Sequence, residues 1–363
     1  TQLTYSSFTK ETFFMVGQVG NGKSSSLNML GALYPQVLEK YDFKYIKGRE
    51  VFAYLEELDV ADIMFHIAYE IIKDDDKLRN TFIEEVEKLE KKHNKEIEEK
   101  IEKTKEKDIK IELSGKIGIA SNLLKILKGS LDFANDYALN FQTRESAIEF
   151  FRFKKQDLIK LVNEIILEYR TKNQKDLIVV IDDLEKRDDV NHLFLESYQL
   201  PLLSDLEVVK IIATPVYLAR GTKLGFGDVI EFALKVTDKN NNEHCKDIAL
   251  LEQVVNKRIE NKSLISPELI QKAIIKSGAN ITQLTRIIHK SALSAITNES
   301  DFINEEDFTQ ACTEIRRGLS SFVLNQVRFL ESVRDKSADL DTEENLQKIQ
   351  KATKNEIIFA YFN

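Results

Sequence analysis

At 363 residues the chain has room for two or three domains and for a core that needs neither disulfides nor metals. Hydrophobic residues at 42% and charged residues at 31% exclude disorder, and a net charge of -8 excludes a uniformly basic coat for nucleic acid while leaving a local basic groove open. Cys245 and Cys312 are too few and too far apart for a disulfide scaffold or a CxxC zinc site, no apolar run approaches the ~18 residues of a membrane helix, and no signal peptide or basic presequence follows Thr1. The expectation is a soluble cytoplasmic protein with no membrane partner and with free thiols.

Phe13, Phe14, Met15 and Val16 form an apolar cluster that stops at a glycine-rich turn, which predicts a buried strand feeding a loop. A helix should follow, with Leu27, Met29, Leu30 and Leu33 on its buried side and Pro35 as its stop. Helical spacing of Ile63, Ile67 and Ile71 predicts a second core helix over 57–72. From Asp74 to Asp108 charges of both signs dominate. Sparse aliphatics (Ile83, Val86, Leu89, Ile97, Ile101) give that stretch a thin apolar seam, as in a long solvated helix or helical hairpin. Ile109, Ile111 and Leu113, then Ile117 and Ile119 beyond Ser114-Gly115, predict a β-hairpin.

Leu158, Leu161, Val162, Ile165 and Ile166 mark another amphipathic helix. It leads into Leu177-Ile178-Val179-Val180-Ile181, short and β-branched enough to be a central strand. Residues 208–213 repeat the pattern, and 229–234 do so more weakly. Strands alternating with helices predict an α/β fold, a parallel sheet with helices on both faces. Beyond Asp247 the pattern is all helical, with starts at Ser266-Pro267-Glu268 and Asn304-Glu305-Glu306-Asp307 and a stop at Gly278. The expected division is a core over 1–246 with an insert at about 74–144, a helical subdomain over 247–318, and a helical extension over 319–363 whose last apolar stretch reads as an element cut short.

Chemistry concentrates at Gly17-Gln18-Val19-Gly20-Asn21-Gly22-Lys23-Ser24, which fits GxxxxGK[ST] at every fixed position. Glycines let successive backbone N–H groups converge on phosphate oxygens, and the following helix turns its positive end toward them. Lys23 would reach the β- and γ-phosphates, the Ser24 hydroxyl would ligate Mg²⁺, and Ser25 continues the loop into the helix. Asp182, at the tip of the strand 177–181, would hold the Mg²⁺ hydration shell. Asp183 would polarise the attacking water, one methylene shorter than the glutamate an efficient ATPase more often carries, which predicts slow turnover; Glu185 is the fallback base. Thr214, at the end of the next strand, could bond the γ-phosphate or the water. Arg220 could serve as an arginine finger toward a neighbouring subunit. No NKxD motif is present, so ATP is favoured over GTP. The five histidines (His66, His93, His192, His244, His289) are scattered, and His66 reads as a core residue rather than a ligand.

These residues resemble the AAA+/STAND group of P-loop ATPases, most of all its origin-recognition/initiator-like branch, over roughly residues 11–318. The run Ile181-Asp182-Asp183-Leu184-Glu185-Lys186 is also similar to KAP-type ATPases. The stretch from Ser277 to Arg286 looks like the lid of that group, where a sensor arginine usually lies four residues after the first glycine. Here Thr282 stands at that position, and Arg286, one turn later, could substitute. The resemblance implies a P-loop αβα sandwich followed by a small helical lid. It also implies an ATP-driven, Mg²⁺-dependent switch or remodeller, working as a homo-oligomer or in an effector-protein complex, on a partner protein or on DNA, with bacterial antiphage defence as one setting. A nucleotide-locked scaffold with negligible hydrolysis is the alternative, and a small-molecule kinase a third reading. The stretch between Ser24 and Asp182 is much longer than the roughly 50–80 residues a few βα units need. Its charged part would be either a partner-touching arm or a solvated insert.

Overall fold

The computed structural model describes residues 10–52, 58–103, 151–152, 154–184, 200–214, 227–231, 234–236 and 245–323, together with Asn345 and Lys348. In chain order these form β1 (Thr12–Val16), α1 (Lys23–Leu33), α2 (Pro35–Lys40), β2 (Tyr41–Lys47), a single-turn α3 (Gly48–Val51), α4 (Val60–Ile72), α5 (Asp76–Lys103), α6 (Lys155–Asn173) and β3 (Asp176–Asp182). After a 3-10 turn (Leu200–Asp205) come β4 (Val209–Thr214), β5 (Asp228–Glu231), α7 (Cys245–Arg258), α8 (Pro267–Ser277), α9 (Ile281–Thr297) and α10 (Glu305–Val323).

Five strands form one sheet in the order β2-β3-β4-β1-β5. β2 runs parallel to β3, with Tyr41 opposite Asp176 and Lys47 opposite Asp182; β4 is parallel to β3 on its other side. Residues 177–182 and 209–214 are buried throughout, as strands covered on both faces must be. The fold is α/β, as the alternation of strand and helix predicts. The third expected strand, 229–234, coincides over its first three residues with β5 (Asp228–Glu231); Phe232 and Ala233 lie outside the described residues. The 109–119 hairpin, the rest of the insert beyond Lys103 and most of 319–363 lie outside them as well.

By contacts the chain divides into two compact units, one holding Thr1–Phe14, Met29–Ile212 and Gly225–Asp228, the other Met15–Asn28, Ala213–Leu224 and Val229–Asn363. In the first unit α4 is the central helix. Asp59 caps it with a full capping box toward Asp62, and Ile63, Ile67 and Ile71 are buried as their spacing predicts. α4 packs on α6, α5 and β2. His66 sits inside this core with its ring edge-on to Phe52 at 4.9 Å.

Two expectations need correction. α5 is one long helix, yet it is not solvated along its length, because Leu78, Phe82 and Val86 are fully buried and the helix packs on α4 and α6. Its apolar seam is wide enough at the first turns to join the core, and charge dominates only further along. On α1, Leu27 is buried but Met29 is 49% exposed and Leu30 half-buried. Pro35 opens α2 at its first turn rather than only ending α1, since its missing N–H costs nothing there.

In the second unit α7 packs on α8, α8 on α9 and α9 on α10. Leu251, Leu269, Ala273, Ile274, Leu284, Ile287 and Phe308 form the core. The helix starts fall where predicted. Ser266 Oγ accepts the Leu269 N–H, and Asn304 Oδ1 accepts the N–H groups of Glu306 and Asp307. Gly278 ends α8 in the left-handed conformation (φ 61°), where a side chain would be strained.

Candidate functional site

The loop 17–22 follows β1 and runs into α1 at Lys23. It needs glycine at two places: Gly20 and Gly22 have φ of 86° and 89°. Three backbone hydrogen bonds help to hold its shape. The Gly17 N–H donates to the Thr214 carbonyl at 3.3 Å, the Asn21 N–H to the Gln18 carbonyl at 3.3 Å, and the Ser26 N–H to the Gly22 carbonyl at 2.9 Å. Lys23 is 3% exposed, and its Nζ donates to the carbonyls of Gly17 at 2.7 Å and Gln18 at 3.1 Å. The ammonium therefore lies inside the curl of the loop. Ser24, half-buried, is the second residue of α1, and Ser25 is exposed.

The crest of the loop meets α9. Asn280 caps that helix by accepting the Gln283 N–H on Oδ1 at 3.0 Å, while its Nδ2 donates to the Val19 carbonyl at 2.7 Å. One residue into the helix, both the Thr282 N–H (3.2 Å) and the Thr282 hydroxyl (3.4 Å) donate to the Gly20 carbonyl. A helix N-terminus leaves its first N–H groups without intrahelical partners, and here the phosphate-loop backbone supplies one. The approach is close enough to demand glycine on packing grounds too: a Cβ on Gly20 would stand 2.7 Å from Asn280 Oδ1 and 2.9 Å from Thr282 Oγ1. Thr282, where a sensor arginine was expected, is thus a backbone clamp. Arg286 lies one turn further along α9 and is exposed.

Asp182 ends β3 and is 1% exposed. Its Oδ1 accepts the Asp183 N–H at 2.8 Å, and its Oδ2 accepts a hydrogen bond from the Tyr45 hydroxyl on β2. Asp183 is half-buried, with φ 63°, a left-handed conformation that aspartate tolerates better than most side chains. Thr214, fully buried, ends β4. Glu185 and Arg220 lie outside the described residues. Sequence reasoning missed Tyr45, Asn280 and Thr282 as clamping groups. Asn280 carried a signal as the N-cap after Gly278; Tyr45 carried none, because β2 itself was not anticipated.

The donor set fits a polyphosphate. Two φ-positive glycines, the buried Lys23 ammonium and a helix N-terminus at Lys23–Ser24 make a concave cationic cradle. Asn21 Oδ1, buried beside it, has no hydrogen-bond partner among the described residues. Mg²⁺ takes most of its oxygens from phosphate and water, so it needs only one or two from the protein. Among the described residues, no group of three or more His, Cys, Asp or Glu could hold a metal ion by protein ligands alone. No helix among them is long and apolar enough to cross a membrane.

The parallel α/β sheet, with a glycine-rich loop between β1 and α1, is consistent with a P-loop nucleotide-binding fold. No protein-family model matches the chain, and no curated protein sequence matches it. Among solved structures, the Orc1 protein of Aeropyrum pernix in complex with DNA is similar at a TM-score of 0.38 and 12% identity, over 87% of this chain. The chain spans 62% of the length of that protein.

Proposed function

We propose that the chain binds ATP with Mg²⁺ and hydrolyses it slowly, as an AAA+/STAND-like switch or remodeller of a partner protein or a DNA complex. The observation that carries this reading is the tie between loop and helical subdomain. The crest carbonyls of a phosphate loop, Val19 and Gly20, are held by the first residues of α9, so a change in loop shape must break or remake bonds to that helix. Lys23 would leave the Gly17 and Gln18 carbonyls for phosphate oxygens, and the loop N–H groups and Ser24 would complete the cradle. Ser24 and Asp182 would hold the Mg²⁺, which supplies charge neutralisation on the phosphate oxygens. Asp183 is the assigned base, with Glu185 behind it. Thr214, Arg220 and Arg286 would act toward the γ-phosphate, a neighbouring subunit and the bound nucleotide respectively. Assembly with further copies, or with an effector protein, is the form of output the family resemblance favours. DNA is a candidate partner on the same family resemblance.

Titration with a fluorescent ATP analogue tests the reading. Wild type should bind, Lys23→Ala should not, and equal affinity in the two would remove it. Mass photometry with ATP, ADP or no nucleotide, with and without duplex DNA, then reads assembly and DNA loading, and identical mass distributions in every arm would remove the switch. The scaffold alternative is favoured by Asp183 in place of the longer glutamate, and single-turnover hydrolysis at the rate of free ATP would select it.

A further inference from the structure

We propose that Tyr45 is a positioning residue for the metal-holding carboxylate, fixing Asp182 through its phenolic hydroxyl; the inference rests on the nucleotide reading above. β2 and β3 are paired so that Lys47 stands opposite Asp182. Tyr45, two residues earlier on the same strand face, is thereby placed to reach the carboxylate at the strand tip. It donates to Oδ2, while Oδ1 accepts the Asp183 N–H at 2.8 Å. A carboxylate with a donor on each oxygen cannot rotate about its last torsion without losing one of them. Of its roughly four lone-pair sites, two remain for the hydration shell of a cation.

The same end of β2 fixes the backbone of that corner. A Cβ on Gly48 would come within 2.7 Å of Leu184 Cδ2 and 3.0 Å of the Asp182 carbonyl oxygen, so only glycine lets α3 start this close. Between these two contact points Asp183 takes its left-handed φ of 63°. The acidic corner is therefore met at two places, by the Tyr45 hydroxyl of β2 on the carboxylate and by Gly48 at the start of α3 on the main chain. Partners of this kind around a metal-holding group commonly carry about 10-fold or more of metal affinity.

The test uses the full chain as wild type, Tyr45→Phe, Asp182→Asn and the double variant. A fluorescent ATP analogue is titrated in EDTA and again over a series of Mg²⁺ concentrations, with thermal melting in EDTA alongside. Tyr45→Phe should bind the analogue in EDTA within about twofold of wild type. The Mg²⁺ concentration giving half of the metal-dependent gain in affinity should rise about 10-fold. In the Asp182→Asn background the same change should add nothing. Coincident Mg²⁺ midpoints for wild type and Tyr45→Phe would overturn the proposal. So would an equal loss of affinity with and without Mg²⁺, which marks a merely structural role, or additive effects in the double variant. Wild type that binds the analogue in neither condition would instead overturn the nucleotide reading, and this proposal with it.

Discussion

The Asn280 Nδ2 donates to the Val19 carbonyl at 2.7 Å, joining positions 261 residues apart in the chain. The same amide caps α9 through Oδ1, so one side chain both starts that helix and grips the glycine-rich loop. Asn280 is fully buried, which makes both bonds costly to lose. Asn280→Ser separates the two roles, because serine is an equally good cap but too short to reach Val19. Stability should fall by about 1–2 kcal/mol, the cost of leaving the Val19 carbonyl unpaired, while the cap is kept; ATP-analogue affinity should fall about 2- to 10-fold, the equivalent of one hydrogen bond that pre-shapes the loop. Thermal melting and analogue titration check the two halves separately. Unchanged affinity would show that the clamp does not shape the loop for nucleotide.

Gly20→Ala strikes the same contact from the other side. The new methyl meets Asn280 and Thr282 below 3.0 Å, and the φ of 86° is strained for any L side chain by about 1–2 kcal/mol. Neither neighbour is the free end of a long side chain, so the loop must lift from α9. The variant should lose at least 10-fold in nucleotide affinity and should become cleavable by trypsin near the loop at Lys23. Gly22→Ala meets only Ile281 Cδ1 at 3.4 Å and isolates the backbone strain from the clash.

The division of labour at the β3 corner predicts a different phenotype. Asp183→Asn keeps size and left-handed tolerance but removes the proposed base. It should bind MgATP as tightly as wild type and lose at least 10-fold in single-turnover hydrolysis. Full turnover in that variant would move the base elsewhere, with Glu185 the next residue to substitute.

Much of this was legible in the sequence because local chemistry and tertiary role coincide. The β-branched run at 177–181 can hardly be anything but a central strand, and Ser266-Pro267 and Gly278 punctuate α8 by backbone rules alone. β2 was not legible. Tyr41, Phe43 and Tyr45 alternate with Asp42 and Lys44, the run carries no turn signal, and α2 enters it directly at Lys40. An edge strand with a half-wet face reads as loop until its partner is known. Met29 failed for the opposite reason, since helical spacing gives a face but not whether anything covers it. The loop motif revealed its own glycines, but not that α9 presses on Gly20, because no local rule links positions so distant in the chain. For the same reason Thr282 read as a missing arginine when its backbone and hydroxyl are what engage the loop.

Lys210 makes the last prediction. It is the second residue of β4 and has no exposed surface, and its Nζ donates to the Leu206 carbonyl at 2.8 Å and the Lys10 carbonyl at 3.4 Å. Burial pushes its ammonium down to about 7, helped by Lys10 and Arg170 and opposed by Glu11 and Asp205. The folded-state value lies below the ordinary 10.5, so between these two pH values the unfolded chain holds the extra proton and the fold gains stability as pH rises. Below about pH 7 both states are charged, and the full cost of burying the ammonium remains. Lys210→Met removes the titrating group and keeps the length of the side chain. Relative to wild type, the variant should be favoured most near pH 6.5 and lose about 1–3 kcal/mol of that advantage by pH 9. Urea unfolding of both proteins across this range measures the difference directly. A stability gap independent of pH would mean that Lys210 keeps its proton in the fold and that its two carbonyl partners outweigh the desolvation.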